Sequence, residues 1–273
     1  MSAEATRDYR ALDRPDVLQV LFHPRRTAGP VDGGNRFREL LIPVDDDVSI
    51  GARFYPAPDP AATILFFHGN GEIVPDYDAI APLFGRTGVN LFVADYRGYG
   101  ISGGRPTVSA MMRDAHRIFH FVVDFLGERA IEGPLIVMGR SLGSASALEL
   151  AASYKDRISG LIIESGFAWA GPLLELLGIA PGRIGLDRSA GFANLEAIRE
   201  FCGPTLVIHA EFDHIIPFSD GQALYDASPA GNKVLVTIRG ANHNDIFIRG
   251  MDYYLEAIHT LVEACQAATA GQP

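Results

Sequence analysis

Six short, almost uninterrupted hydrophobic runs recur along the chain, and longer amphipathic stretches separate most of them. The runs read ATILFFHG, VNLFVADY, PLIVMGRS, ISGLIIES, PTLVIHAE and KVLVTIRG. Strands that are covered on both faces have this unbroken hydrophobic character, because neither face carries a regular polar row. Alternation with connections long enough to hold helices is typical of a parallel sheet wrapped by helices. The pattern therefore predicts an α/β fold.

Two earlier runs, ELLIPV and VSIGARFY, flank a DDD turn and predict an antiparallel hairpin at one edge of the sheet. Together the runs predict about eight mostly parallel strands with helices on both faces. Between the second and third buried runs, apolar residues recur every three or four positions and predict one long helix. Its predicted buried stripe comprises Val108, Met111, Ala115, Ile118, Val122 and Phe125. Its predicted solvent-exposed face carries Arg113, His116, Arg117 and His120.

The regular alternation of hydrophobic runs with amphipathic stretches predicts a single main domain over residues 39–273. Residues 166–200 interrupt it, being too long for a bare loop and too irregular for one crossover helix. We expect this insertion to form a small helical cap over the end of the sheet. Residues 1–38 contain the apolar segment VLQVLF and are expected to pack on the body as an N-terminal extension.

Composition and charge narrow the possible functions. Hydrophobic residues make up 48% of the chain and charged residues 21%, as in a globular protein with a large core. The formal net charge of −10 argues against nucleic acid as a partner, because binding to phosphate requires basic surfaces. No apolar run approaches the ~20 residues of a membrane span, and the N-terminus does not resemble a secretory signal. Cys202 and Cys265 lie far apart and do not have the spacing of a disulfide framework or a zinc site, so a cytoplasmic location is expected. The sequence leaves the oligomeric state open.

The sequence GRSLGS, residues 139–144, follows the third buried run and precedes an alanine-rich helical stretch. A serine held in a tight strand-to-helix turn needs neighbours without side chains, since a Cβ atom there would strike the strand or the helix. Gly139 and Gly143 meet this requirement. Ser141 is therefore predicted to be a catalytic nucleophile, and a helix N-cap is its alternative role.

A serine hydroxyl needs a base to remove its proton, and the base needs an acid to orient it. Asp213 follows the fifth buried run, and His243 lies in the loop after the sixth. Residues beyond the carboxyl ends of parallel strands gather at one edge of the sheet, so we expect both beside Ser141. Glu164, which ends the fourth run, is the alternative acid.

A tetrahedral intermediate also requires backbone N–H donors for its oxyanion. Leu142, at the start of the predicted helix, and Asn70, after the first buried run, are the expected donors. Gly71 is the alternative to Asn70.

The motifs FFHGNGE, ADYRGYGISGG, GRSLGS, HAEFDHIIP and GANHNDI, in this order, resemble the α/β-hydrolase superfamily over residues ~39–265. Within this superfamily, the stretches PTLVIHAEFDHIIPFSDGQALYDASP and HNDI are similar to a serine hydrolase branch that contains protein depalmitoylases and bacterial hydrolases of unassigned substrate. The resemblance implies the α/β-hydrolase fold, a triad of Ser141, His243 and Asp213, and an oxyanion hole from Asn70 and Leu142. Ala210 stands where the family usually has glycine, and the chain lacks the cysteine-rich segment that anchors the depalmitoylases.

These residues predict a serine hydrolase that cleaves carboxylic esters or thioesters in a small-molecule or acyl substrate, with no metal or cofactor. Trp169, Leu173 and Leu177 are expected either to line an acyl pocket or to seal the insertion onto the body. Arg140 is expected either to bind an anionic substrate group or to pair with local carboxylates. A noncatalytic ligand-binding protein of the same fold, an acyltransferase and a peptidase remain alternatives.

A second glycine motif, GYGISG at Gly98–Gly103, matches the dinucleotide-binding pattern G-x-G-x-x-G. In that pattern the helix opens within the glycines, so that its N-terminus meets the pyrophosphate. Here Pro106 delays the predicted helix to about Thr107. The loop is therefore not expected to bind phosphate.

Overall fold

The computed structural model describes residues 7–184 and 191–270 of the chain. Residues 1–6 of the predicted extension, 185–190 of the predicted insertion and 271–273 lie outside this range. The described part contains an eight-stranded sheet in the order β1-β2-β4-β3-β5-β6-β7-β8. Its strands are β1 Arg38–Asp45, β2 Val48–Tyr55, β3 Ala62–Phe67, β4 Val89–Ala94, β5 Leu135–Arg140, β6 Gly160–Glu164, β7 Thr205–Ala210 and β8 Lys233–Ile238.

All strand pairs from β4 to β8 are parallel, whereas β2 pairs antiparallel with β1 and with β4. The predicted mostly parallel sheet and its antiparallel edge hairpin are thus confirmed. The helices are α1 Pro15–Leu21, α2 Ala81–Gly85, α3 Val108–Glu128, α4 Gly143–Ser153, α5 Ala170–Leu176, α6 Asn194–Arg199, α7 Phe218–Ala227 and α8 Ile246–Ala270. The last helix is kinked at Gly250, whose backbone is not helical.

Helices cover both faces of the sheet, and each face has its own apolar cluster. Successive side chains of a strand point to opposite faces; in β5, Val137 joins the cluster under α3, α4, α6 and α7, whereas Ile136 and Met138 join the one under α2 and α8. The central strands are consequently buried on both faces, as their unbroken hydrophobicity predicts.

The sixth predicted run, β8, is not fully buried. Among the strands in residues 7–184 and 191–270, β8 has β7 as its only neighbour, so it forms an edge, and Val234 is 43% exposed. The expectation that all six runs are covered on both faces is therefore wrong for this strand. A hydrophobic run does not reveal which strand ends a sheet.

The predicted apolar stripe of α3 is buried, but its predicted polar face is not uniformly exposed. Arg113 and Arg117 are exposed, as expected, and His120 is half-buried. His116 is buried, with Nδ1 2.9 Å from the hydroxyl of Tyr154 and Nε2 3.5 Å from Glu149. The prediction of an exposed His116 is wrong because α4 and its C-terminal turn bring polar partners against this side of α3.

The described part of the N-terminal segment lies against the body. It contains a 3₁₀ turn, Arg10–Leu12, and helix α1, whose Val17 and Leu21 are buried. The hydroxyl of Tyr9 donates to Glu149 of α4 at 2.8 Å. Within residues 166–200, the described elements are α5, a 3₁₀ turn at Pro181–Ile184 and α6, and α6 packs on α4 and α7. None of the helices in the described ranges combines the length and the apolar character needed to cross a lipid bilayer.

Candidate active site

Ser141 occupies a sharp turn between β5 and α4. Its backbone φ is +50°, a value that residues other than glycine rarely adopt. The two flanking glycines make this turn possible. A Cβ atom on Gly139 would lie 2.3 Å from the carbonyl oxygen of Gly143, and one on Gly143 would lie 2.1 Å from that of Phe67. Both contacts are with backbone atoms, so the two positions require glycine, as the sequence predicts.

The structure brings together the three side chains predicted to form the triad. His243 Nε2 lies 3.0 Å from Ser141 Oγ, and His243 Nδ1 lies 2.7 Å from Asp213 Oδ2. The three residues follow β5, β7 and β8, so the carboxyl edge of the sheet is what assembles them. His243 is buried, and the Asp213 side chain is fully shielded from solvent.

Asp213 is held as a carboxylate. Burial alone would raise its pKa, but the hydrogen bond and charge interaction with His243 outweigh it and lower the pKa below the ordinary value. Its other oxygen accepts the backbone N–H groups of Ile215 and Ile216 at 3.0 and 2.8 Å. An ionised acceptor at Nδ1 places the imidazole proton there and leaves Nε2 free to accept the serine proton.

Glu164, the alternative acid, has other partners. It is buried, its Oε2 accepts the hydroxyl of Tyr254 at 2.6 Å, and its Oε1 lies 3.5 Å from Nε of Arg140. Burial raises the pKa of Glu164, and the charge of Arg140 only partly offsets this. The geometry therefore favours Asp213 over Glu164 as the acid that contacts His243.

Arg140 is occupied by groups of the protein itself. Its Nε lies 3.0 Å from Glu72 Oε1, and its Nη2 donates to the carbonyl of His243 at 3.0 Å. Its side chain is only 11% exposed. This arrangement favours the pairing with local carboxylates over the expected contact with an anionic substrate group.

The expected oxyanion donors face no competing acceptor. Within residues 7–184 and 191–270, neither the N–H of Asn70 nor that of Leu142 donates to another protein atom. The backbone of Gly71, in contrast, interacts with the hydroxyl of Tyr99. Since an oxyanion hole needs free donors, the structure favours Asn70 over Gly71 as the partner of Leu142.

The expected acyl-contact residues lie on and beside α5. Trp169, Leu173 and Leu177 are partly buried and pack against the larger apolar cluster. This packing is compatible with a pocket wall and with a seal, so both readings stay open. Ala210, where the family usually has glycine, is not at a positive φ, so its methyl group causes no backbone strain. Among the described residues, no three His, Cys, Asp or Glu side chains are placed to bind a metal ion together.

Three residues near the site were not anticipated from the sequence. Glu72 accepts the N–H of Gly69 at 2.7 Å as well as pairing with Arg140. Tyr99 and His23 both contact the side chain of Asn70. Glu72 carried a usable signal, a carboxylate in the turn after a buried strand, but no spacing rule connects His23 with Asn70.

Comparisons with known proteins agree on the family. A family model described as serine aminopeptidase, S33 matches residues 58–185. Alpha/beta hydrolase domain-containing protein 17B from Homo sapiens is 30% identical over 211 residues, which cover 76% of this chain and 68% of the human protein. Alpha/beta hydrolase domain-containing protein aho-3 from Caenorhabditis elegans is 28% identical over 210 residues and the same share of this chain. The chain spans 59% of the length of aho-3 and 63% of that of protein 17C from Xenopus tropicalis.

Solved structures share the fold at lower identity. The esterase Pf2001 of Pyrococcus furiosus superposes with a TM-score of 0.68 at 15% identity, covering 88% of this chain and 98% of the esterase. A soluble variant of the monoglyceride lipase of Saccharomyces cerevisiae gives a TM-score of 0.64 at 18% identity, covering 84% and 95%. Est1E from Butyrivibrio proteoclasticus gives the same TM-score and identity, covering 84% and 99%.

Proposed function

The chain belongs to the α/β-hydrolase superfamily, and from this we propose that it is a serine hydrolase that cleaves carboxylic esters or thioesters through an acyl-enzyme on Ser141. The observation that carries the proposal is the continuous hydrogen-bonded series from Ser141 through His243 to Asp213. A histidine hydrogen-bonded to a serine hydroxyl and oriented by a carboxylate is the arrangement that activates serine as a nucleophile.

In the proposed reaction, Ser141 Oγ attacks the substrate carbonyl carbon while His243 Nε2 takes the hydroxyl proton. Asp213 stabilises the resulting imidazolium, and the N–H groups of Asn70 and Leu142 bind the oxyanion. Collapse of the intermediate breaks the bond to the leaving alcohol or thiol, which receives the proton from His243. Water then attacks the acyl-enzyme with His243 as base, releasing the carboxylic acid and restoring the serine.

The substrate class is inferred from the insertion and from the solved neighbours. The leucines and tryptophan of the insertion favour an apolar acyl group of medium length. The solved neighbours include one protein named as an esterase and one named as a monoglyceride lipase, which supports carboxylic ester cleavage. The family description names a serine aminopeptidase, so amide cleavage by the same residues is the second candidate.

A fluorophosphonate probe tests the nucleophile. Ser141 should be labelled in the wild-type protein, and labelling should be absent from Ser141→Ala. A folded wild-type protein that resists labelling would support the noncatalytic ligand-binding alternative. Rates on p-nitrophenyl esters and acyl thioesters of increasing chain length, beside aminoacyl p-nitroanilides, then identify the bond. Faster cleavage of the anilides than of the esters would replace the esterase proposal with the peptidase.

A further inference from the structure

A short N-terminal segment, Phe22–Thr27, lies across two loops at the carboxyl edge of the sheet; we call it the N-terminal strap. One loop follows β4 and contains the glycines of GYGISG. The carbonyl of Arg25 accepts the N–H of Gly100 at 2.7 Å, and the N–H of Thr27 donates to the carbonyl of Gly100 at 3.1 Å. Arg26 also donates to the carbonyl of Ser102 at 2.8 Å. The strap is thus attached to the glycine loop by backbone hydrogen bonds.

The glycine loop has the shape that this attachment needs. Gly100 adopts a φ of +50°, and a Cβ atom there would lie 2.0 Å from Oδ2 of the buried Asp95. A side chain at position 100 would therefore force the loop, and the strap bonded to it, away from the sheet. The motif that resembles a dinucleotide-binding pattern has a structural use unrelated to phosphate.

The strap reaches the second loop, which follows β3, at the side chain of Asn70. Asn70 Oδ1 accepts the N–H of His23 at 2.9 Å and the hydroxyl of Tyr99 at 2.8 Å. Asn70 Nδ2 lies 2.8 Å from Nδ1 of His23. A backbone N–H can only donate, so the atom facing it must be the carboxamide oxygen. The nitrogen then faces His23, whose Nδ1 acts as the acceptor.

We propose that His23 of the strap and Tyr99 of the glycine loop are positioning residues that fix Asn70 as an oxyanion donor. This inference rests on the proposed function of the same site. Neither residue needs to contact the substrate, because each acts on the side chain of Asn70 while its backbone N–H binds the oxyanion. Tyr99 has a second effect: its hydroxyl also accepts the N–H of His23 at 2.8 Å and so connects the strap to the same side chain.

Fixing the donor matters because the oxyanion develops only as the reaction proceeds. Donors that already point at its position stabilise the transition state without reorganising, whereas a donor displaced by about 1 Å loses on the order of 10² in rate. A loosened Asn70 should therefore lower kcat and leave substrate binding, measured as KM, nearly unchanged.

Two substitutions at the exposed His23 distinguish the effect of losing its hydrogen bond to Asn70 from the effect of changing the side-chain volume. In His23→Asn, the side-chain oxygen can take the place of Nδ1 and accept from Asn70. His23→Leu has a similar shape but no acceptor. We expect kcat to fall about tenfold to a hundredfold in His23→Leu, with KM within about twofold of wild type, and His23→Asn to recover most of the loss. Tyr99→Phe should lower kcat in the same way.

A short-chain alkylboronic acid gives a second readout, because its adduct with Ser141 places an oxygen where the oxyanion forms. Its affinity should fall in His23→Leu by the same factor as kcat, while the melting temperature stays at the wild-type value. Equal kcat in His23→Leu and wild type, a loss confined to KM, or equal losses in both His23 variants would overturn the positioning role. A wild-type protein that neither reacts with fluorophosphonate nor hydrolyses esters would instead overturn the proposed function.

Discussion

Asp213 Oδ2 lies 2.7 Å from His243 Nδ1, and this is the carboxylate contact of the imidazole. Glu164, the alternative acid at this edge, instead accepts the hydroxyl of Tyr254 and pairs with Arg140. In the proposed mechanism Asp213 therefore orients the base, whereas Glu164 belongs to a buried cluster with Arg140 and Tyr254.

Replacing Asp213 by Asn should lower kcat by a factor on the order of 10⁴, since the amide no longer fixes the imidazole tautomer. Glu164→Gln is the matched control and should reduce kcat far less, because the Glu164 side chain hydrogen-bonds to Tyr254 rather than to the imidazole. Steady-state rates on a p-nitrophenyl ester show which of the two carboxylates supports turnover. Near-normal turnover in Asp213→Asn, with a large loss in Glu164→Gln, would exchange the two roles.

Replacing Arg140 by Gln should destabilise the protein by about 3–5 kcal/mol, because Glu72 and Glu164 would be left without their shared cation. Urea denaturation measures the loss. Turnover should fall for neutral and anionic substrates alike, since the bond to the His243 carbonyl is lost too. Unchanged stability with a higher KM for anionic substrates only would instead assign Arg140 to substrate binding.

Replacing Gly143 by Ala should destabilise the fold by about 3 kcal/mol or more, because the new Cβ atom meets the backbone of β3, which cannot move aside. Gly127→Ala is the control: no atom lies within 4 Å of a Cβ atom there, and alanine favours the helix by up to about 1 kcal/mol. Urea denaturation of both variants should thus give shifts of opposite sign. If both variants shifted the free energy of unfolding in the same direction, the close approach of the turn between β5 and α4 to β3 would be contradicted.

The two cysteines should differ in their reaction with a thiol reagent. Burial raises the pKa of Cys265 to about 12, so at pH 8 roughly one molecule in 10⁴ carries its thiolate. Cys202 is exposed. An Ellman titration at pH 8 should therefore count one fast thiol in the native protein and two in guanidinium chloride. Two fast native thiols would show that the packing around Cys265 opens readily.

The parts of the structure that the sequence predicted best are those set by local pattern. The sharp turn at Ser141 was predictable because a buried strand, two glycines and a helix of small residues are contiguous in the chain. Asp213 and His243 were predictable because parallel strands bring their carboxyl ends to one edge. In each case a short stretch of sequence determined both the conformation and the place of the residue.

The features that the sequence did not predict depend on contacts between distant segments. His116 is buried because Glu149 and Tyr154 approach it from another helix and its terminal turn. Val234 is exposed because, in the described part of the chain, no second strand pairs with β8, although its sequence resembles that of a central strand. His23 meets Asn70 across 47 positions, through a strap with no periodic pattern of its own.

Ser141 and His243, the proposed nucleophile and its proposed base, are separated by 102 positions, and His243 lies in the loop between β8 and α8. Ribosomes add about 5–20 residues per second, so a growing chain contains Ser141 for roughly 5–20 s before His243 is added. During that interval Ser141 lacks the imidazole of His243, which would take its proton. In the proposed mechanism, a chain that stops before His243 is consequently inert toward esters, and hydrolase activity can begin only after this residue has been added.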